Sequence, residues 1–172
     1  DVLAVMPTGG GKSICYQIPA LMLEGITIVI SPLISLMKDQ VDTLNELEIK
    51  AAYINSSLSD NEIFYILTDV KNKKTKILYI APERLNSMSF VNLMKNLDVS
   101  MIAIDEAHCV SQWGHDFRKS YRNIPDFINI FPKRPVVACF TATATKEVRD
   151  DIVSVLELRN PKVFITGFNR EN

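Results

Sequence analysis

The chain is poor in the residues that would staple, anchor or uniformly charge it. Its three cysteines, Cys15, Cys109 and Cys139, are an odd number without paired spacing. That argues against a disulfide framework and suits a reducing cytosol, and their apolar neighbours mark them as small packed thiols. No apolar run approaches the roughly 20 residues that a bilayer crossing needs; the run at Ile26–Ile30 is strand-sized and stops at Ser31-Pro32. No secretory leader is recognisable. The chain opens inside an apolar run, Val2-Leu3-Ala4-Val5, as a piece cut from a longer protein would. Charge of one sign is also missing: 19 Lys and Arg stand against 20 Asp and Glu, a net charge of −1. This excludes a uniformly basic surface but leaves room for a local groove. The densest basic run, Lys71-Asn72-Lys73-Lys74-Thr75-Lys76, reads as a solvated loop.

What is present suffices for one globular domain spanning residues 1–172. Hydrophobic residues make up 47% and charged residues 23%, close to the soluble average. Strand-like runs occur at Leu3–Met6, Ile26–Ile30, Ala51–Ile54, Ile77–Ile80, Met101–Asp105, Val136–Phe140 and Val163–Thr166. Several are apolar throughout, the mark of strands covered on both faces. Helical spacing appears in Leu33–Leu47, Asp60–Val70, Asn86–Leu97, Tyr121–Ile130 and Lys146–Leu156. The alternation predicts an α/β fold, a mostly parallel central sheet with helices on both faces, in which ligands bind beyond the carboxyl ends of the strands. Pro19 predicts a kink or break near Gln17–Ala20 in the first helix.

Two segments carry chemistry. Directly after the first strand comes Met6-Pro7-Thr8-Gly9-Gly10-Gly11-Lys12-Ser13, nearly the phosphate-loop pattern, with Met6 where the simple pattern has its first glycine. Consecutive glycines let backbone N–H groups turn inward on an anion, and the next helix adds its positive end. Thr8 to Ser13 are thus candidates to cradle a nucleotide triphosphate. Lys12 would reach the β- and γ-phosphates, and the Ser13 hydroxyl would ligate Mg²⁺. The second segment is the apolar run Met101–Ile104 ending in Asp105-Glu106-Ala107-His108. Asp105 would hold Mg²⁺ and Glu106 would polarise the attacking water; alone, the pair reads equally as a helix cap with a first-turn glutamate. A zinc site at His108, Cys109 and His115 lacks the four ligands and the spacing that structural zinc wants.

These residues resemble superfamily 2 helicases, and Asp105–Arg118, DEAHCVSQWGHDFR, resembles the RecQ family in particular. Ser111-Gln112-Trp113-Gly114-His115-Asp116-Phe117-Arg118 is similar to the aromatic-rich loop of that family. Ser31–Gln40 resembles motif Ia, Tyr79–Leu85 motif Ib and Phe140–Thr145 motif III; Gly167-Phe168-Asn169-Arg170 resembles the exit from the first motor lobe. The one departure is Lys119, where the family commonly has proline.

The resemblance implies a three-layer P-loop NTPase fold of the RecA-like kind. It implies an ATP-dependent DNA helicase moving 3′-to-5′, with ATP and Mg²⁺ as cofactors. Its partners would be single-stranded and forked DNA and a second RecA-like lobe of the same protein, with no membrane, in a bacterial cytoplasm at the nucleoid. The upstream adenine-reading glutamine motif and the second lobe with its arginine finger are expected outside this chain. Motifs Ia and Ib would touch the DNA backbone through Ser31, Lys38 and Arg84. For Arg84 an ion pair with Glu83 stands beside that reading, and for Lys38 a solvated helix face. Trp113, His115 and Phe117 would stack on bases or pack under their own loop, with Gln112 and Arg118 beside them. Thr141 and Thr143 would relay the nucleotide state or cap the helix at Lys146. The alternative function is a P-loop ATPase acting on RNA or on a non-nucleic-acid partner.

Overall fold

The computed structural model describes residues 1–166; the expected lobe exit at Gly167–Arg170 lies outside the described residues. Seven strands, β1 (Val2–Val5), β2 (Ile26–Ile30), β3 (Ala51–Ile54), β4 (Ile77–Ile80), β5 (Val99–Ile104), β6 (Val136–Thr141) and β7 (Lys162–Ile165), form one sheet in the order β3-β4-β2-β5-β6-β1-β7. All six pairings are parallel. Parallel strands need crossovers, and here they are α1 (Lys12–Met22), α2 (Ile34–Glu46), α3 (Asp60–Lys71), α4 (Met88–Met94), α5 (Ile124–Asn129) and α6 (Lys146–Val155).

The strands are apolar along their length because both sides are covered. Leu3, Ile28, Ile30, Ile102 and Ile104 point to the face packed by α3 to α6. Ala4, Val29, Tyr79, Ala103 and Phe140 point to the face packed by α1 and α2. That second face carries two helices against seven strands. An apolar hollow of about 550 Å³ opens there beside α1, lined by Val2, Ala4, Pro19, Met22, Phe140 and Phe164.

Local chemistry explains the helix boundaries. The Ser59 hydroxyl accepts from the Glu62 N–H while the Glu62 carboxylate accepts from the Ser59 N–H, a reciprocal box that starts α3. Thr145 caps α6 by accepting from Val148 N–H. Asp1, nearly buried, ties the lower ends of three strands together. Its carboxylate accepts from Val137 N–H and Arg159 N–H and pairs with Arg134 at 2.8 Å.

Three expectations need correction. Of the expected kink or break, the break does not occur: α1 continues through Pro19 as one helix. The proline costs one helical hydrogen bond, but its carbonyl still accepts from Leu23 N–H, and Tyr16 and Ala20 on either side of it are buried. The helix expected over Asn86–Leu97 is a 3₁₀ turn, Pro82–Asn86, followed by the short α4. Ser87 stops one and caps the other, accepting from Phe90 N–H. The helix expected over Tyr121–Ile130 likewise divides into a 3₁₀ turn, Lys119–Asn123, and α5, with Pro125 in its first turn.

Candidate active site

The strand order sets the site. β1 delivers the glycine loop, β5 delivers the acids, and β6 lies between them and ends at Thr141. Val5 pairs with Thr141, and Ile104 pairs with Cys139, so the three strand ends finish nearly level. Met6 N–H donates to Thr141 O at 2.9 Å and Asp105 N–H to Ile30 O at 2.9 Å, which fixes the two turns to the sheet rim.

The glycines are each required by backbone or space. Gly9 and Gly11 have φ of 77° and 81°, the left-handed region that side chains resist. A Cβ on Gly10 would sit 2.9 Å from Pro7 O, the acceptor of Gly10's own N–H. Gly11 is the N-cap of α1 and gives it no side-chain cap. The first N–H groups of α1 are thereby left to an external acceptor. Thr8, Gly9 and Gly10 are exposed, while Gly11, Lys12 and Ser13 are half-buried. The Lys12 ammonium folds back on the carbonyls of Met6 and Pro7 at 3.3 and 3.4 Å, within the same loop.

The acidic turn is tightly bonded. Asp105 is buried; its Oδ2 accepts from the Ser31 hydroxyl at 3.3 Å and its Oδ1 from Glu106 N–H at 3.0 Å. Burial, and then the neighbouring Glu106 charge, hold the Asp105 carboxyl above its ordinary range. Glu106 sits at φ 48°, ψ 45°, a left-handed conformation that costs a non-glycine residue roughly 1–3 kcal/mol. The hydrogen bond from His108 lowers the Glu106 pKa despite its partial burial. His108 Nδ1 lies 3.3 Å from Glu106 Oε2 and 2.9 Å from Thr141 Oγ1. Thr141 donates its only hydroxyl proton to Thr143 O at 3.1 Å. The proton between His108 and Thr141 therefore comes from Nδ1, which Glu106 and Thr141 share.

The segment 111–118 leaves this turn directly. His115 stacks on His108 with centroids 4.6 Å apart and planes 14° apart. Asp116 pairs with Arg118 at 3.1 Å, and Cys109 Sγ donates to Asp116 at 3.7 Å. His108, Cys109 and Asp116 offer three ligand atoms within 4.8 Å. Burial, and then the Asp116 charge, push the Cys109 thiol up to about 12, and the Asp116 carboxylate is already engaged by Arg118. The trio is thus a hydrogen-bonded link from turn to loop. Gly114 is required where its Cβ would meet His108 O at 2.6 Å.

Placement of the other candidates is uneven. Ser31 is 2% exposed and bonded to Asp105, on the acid side of the rim. Lys38 lies exposed on α2. Arg84 does not pair with Glu83; its guanidinium donates to Asn55 O at 2.9 Å and Leu58 O at 3.3 Å, pinning the loop before α3. Trp113 is 79% exposed and so is not packed under its loop, Gln112 is exposed beside it, and Phe117 is half-buried with Arg122 over its ring at 5.0 Å. Thr145, and neither Thr141 nor Thr143, caps α6. Two groups carried no recognisable signal in the sequence. Tyr121 donates its hydroxyl to Asp105 O at 2.9 Å. Gln17 bridges Gln40 at 2.8 Å and Tyr79 at 3.1 Å, joining α1 to α2 behind the loop. A tyrosine in a polar stretch, Lys119-Ser120-Tyr121-Arg122-Asn123, and a helical glutamine look ordinary until the fold supplies their partners.

Against known proteins, the model of the DEAD/DEAH box helicase family matches residues 1–151. The chain belongs to the DEAD/DEAH box helicase family. Within that family this helicase domain is 59% identical over its whole length to the ATP-dependent DNA helicase RecQ of Bacillus subtilis and 49% identical to that of Pasteurella multocida. The resemblance to RecQ carried by residues 105–118 is thereby borne out. The domain spans 29% and 27% of those two proteins. The helicase domain of Pyrococcus furiosus Hef superposes with a TM-score of 0.72 at 19% identity, covering 96% of this chain and 35% of that one. The fold is therefore the α/β P-loop NTPase fold of helicase RecA-like domains. Among the described residues, no helix is long and apolar enough to cross a membrane.

Proposed function

We propose that this domain is the ATP-binding motor lobe of a RecQ-type DNA helicase, which couples Mg-ATP hydrolysis to 3′-to-5′ travel on single-stranded DNA and to opening of forked duplexes. Its setting would be recombination and repair at the nucleoid of a bacterial cytoplasm, working against a second RecA-like lobe of the same protein. One observation carries the reading: the glycine loop of β1 and the acids of β5 face each other across the end of β6, with Thr141 between them. Backbone N–H groups at 8–13 would hold the phosphates, with Lys12 turning from its loop carbonyls toward them. Glu106, lowered in pKa and therefore ionised at neutral pH, would orient and deprotonate the attacking water.

The residues also fit a magnesium ion. Ser13 and Asp105 offer hard oxygen donors, and Asp105 is a buried carboxylate beside a second acid, in want of positive charge. Held by Ser13 and Asp105, such an ion would supply positive charge against the charge that develops on the phosphate. Exposed Trp113 would stack on a base, worth about 1–3 kcal/mol, with Gln112, Phe117, Arg118 and Lys38 along the strand. Movement of the loop would reach Glu106 through His115 and His108, and Thr143 through Thr141. Ser31 and Arg84 would serve this track indirectly, by fixing Asp105 and the loop at 55–58.

The test is ATP turnover of the full-length protein with and without single-stranded DNA. The expected result is strong stimulation that Trp113→Ala abolishes while ATP binding persists. Turnover indifferent to DNA would instead favour an ATPase acting on RNA or on a non-nucleic-acid partner. Since arginine fingers contribute about 10³–10⁵ in rate, the isolated domain is expected to hydrolyse ATP very slowly and to unwind nothing.

A further inference from the structure

Tyr121 is fully buried in the 3₁₀ turn that follows the aromatic loop. Its hydroxyl meets neither solvent nor another side chain among its hydrogen-bond partners; it donates to the main-chain oxygen of Asp105 at 2.9 Å. That oxygen belongs to the peptide unit whose N–H, from Glu106, donates to Asp105 Oδ1 at 3.0 Å. The peptide plane joining the two acids is thus gripped at both ends, by Tyr121 on its oxygen and by the Asp105 carboxylate on its nitrogen. Directly after it the backbone enters the left-handed conformation of Glu106, which a non-glycine residue keeps only where its surroundings impose it.

Tyr121 is also bonded to the loop. Its N–H donates to Arg118 O at 3.0 Å, and Arg118 N–H donates to Cys109 O at 2.9 Å. The Arg118 side chain is held by Asp116, a partner that a phosphate group would compete with.

We infer that Tyr121 is a positioning residue: its hydroxyl orients the Asp105–Glu106 peptide, and through it both carboxylates, and carries the position of loop residue Arg118 to them. The inference rests on the proposed ATPase reading and adds the route by which the loop acts. Rotation of that peptide would swing Asp105 Oδ1 and the Glu106 side chain together, so one hydrogen bond governs two groups. Burial raises the Tyr121 pKa far above its ordinary value, so the phenol remains a donor across the working pH range.

The experiment uses full-length protein carrying Tyr121→Phe, which keeps the ring and removes only the donor. DNA-stimulated kcat is expected to fall about tenfold, the scale of one lost hydrogen bond. The KM for ATP and the affinity for a single-stranded oligonucleotide should stay within twofold. Replacing Tyr121 with 4-aminophenylalanine, which restores an N–H donor at the same place, should recover most of the lost kcat. A stimulated kcat within twofold of wild type in the Phe variant overturns the inference. So does a folded 4-aminophenylalanine variant that recovers nothing, or a parallel loss of KM and melting temperature, which would mark a merely structural role. Absence of DNA stimulation in the wild type would sink the motor reading itself, a result visible before any variant is made.

Discussion

The turn at residues 7–13 and the turn at 105–108 meet at one rim of the sheet but are held by different forces. The first is made of backbone: three glycines, two of them left-handed, a turn closed by Gly10 N–H on Pro7 O, and a lysine resting on loop carbonyls. The second is made of side chains: Ser31, Tyr121, His108 and Thr141 each bond to it or through it, and it is largely buried. The glycine turn is built to wrap an anion and has little of its own to hold it rigid. The acidic turn is pre-set, as groups must be that act on a transition state with little reorganisation.

Substitutions that break one turn should therefore look unlike those that break the other. The largest effect is expected from Glu106→Gln: kcat for ATP falls by about 10²–10⁴, with nucleotide affinity kept, as measured by turnover and by binding of a fluorescent nucleotide. Next, Gly11→Ala places a side chain at φ 81°, at a cost of roughly 1–2 kcal/mol. ATP affinity should drop about 5–30-fold, because a turn that relaxes to relieve this strain no longer aims its N–H groups at the phosphates.

Asp105→Asn sharpens the contrast. Burial and Glu106 raise the Asp105 pKa, so the folded protein disfavours the ionised carboxylate, and this penalty is fully present at pH above the raised value. The neutral Asn should abolish turnover yet raise the melting temperature of the nucleotide-free protein at pH 8. That gain should shrink as pH falls and the wild-type carboxyl takes its proton, which melting curves across the acid range would show. Glu106, lowered by His108, runs the other way: its contribution to stability is present above its unfolded pKa and lost as pH drops through the folded one. The smallest effect is expected for Ser59→Ala, remote from both turns. It should cost about 1 kcal/mol of stability through the lost cap of α3, with kcat and KM unchanged.

The sequence was most legible where a local signal was sufficient. Ile26–Ile30, Ala51–Ile54 and Ile77–Ile80 are strands with the ends their apolar runs suggest. The glycine run and the acids stand out because their spacing is chemical. Legibility failed where a partner distant in the chain decides. Pro19 is tolerated because α1 is packed around it, and Arg84 answers carbonyls at 55 and 58 that no spacing rule links to it. Ser31 looked like a surface hydroxyl after a strand, but β2 lies next to β5, so its neighbour is Asp105. Tyr121 was invisible for the same reason: the acceptor for its hydroxyl is a main-chain oxygen 16 residues back.

The middle position of β6 has one last consequence. With strands about 4.8 Å apart, the ends of β1 and β5 that carry the glycine turn and the acidic turn are kept roughly 10 Å from each other, two strand spacings. Neither can approach the other without tearing a ladder of hydrogen bonds from the sheet. The cleft thus has a fixed gauge, and what varies during a working cycle must be the side chains and loops around it while the frame stays at constant width.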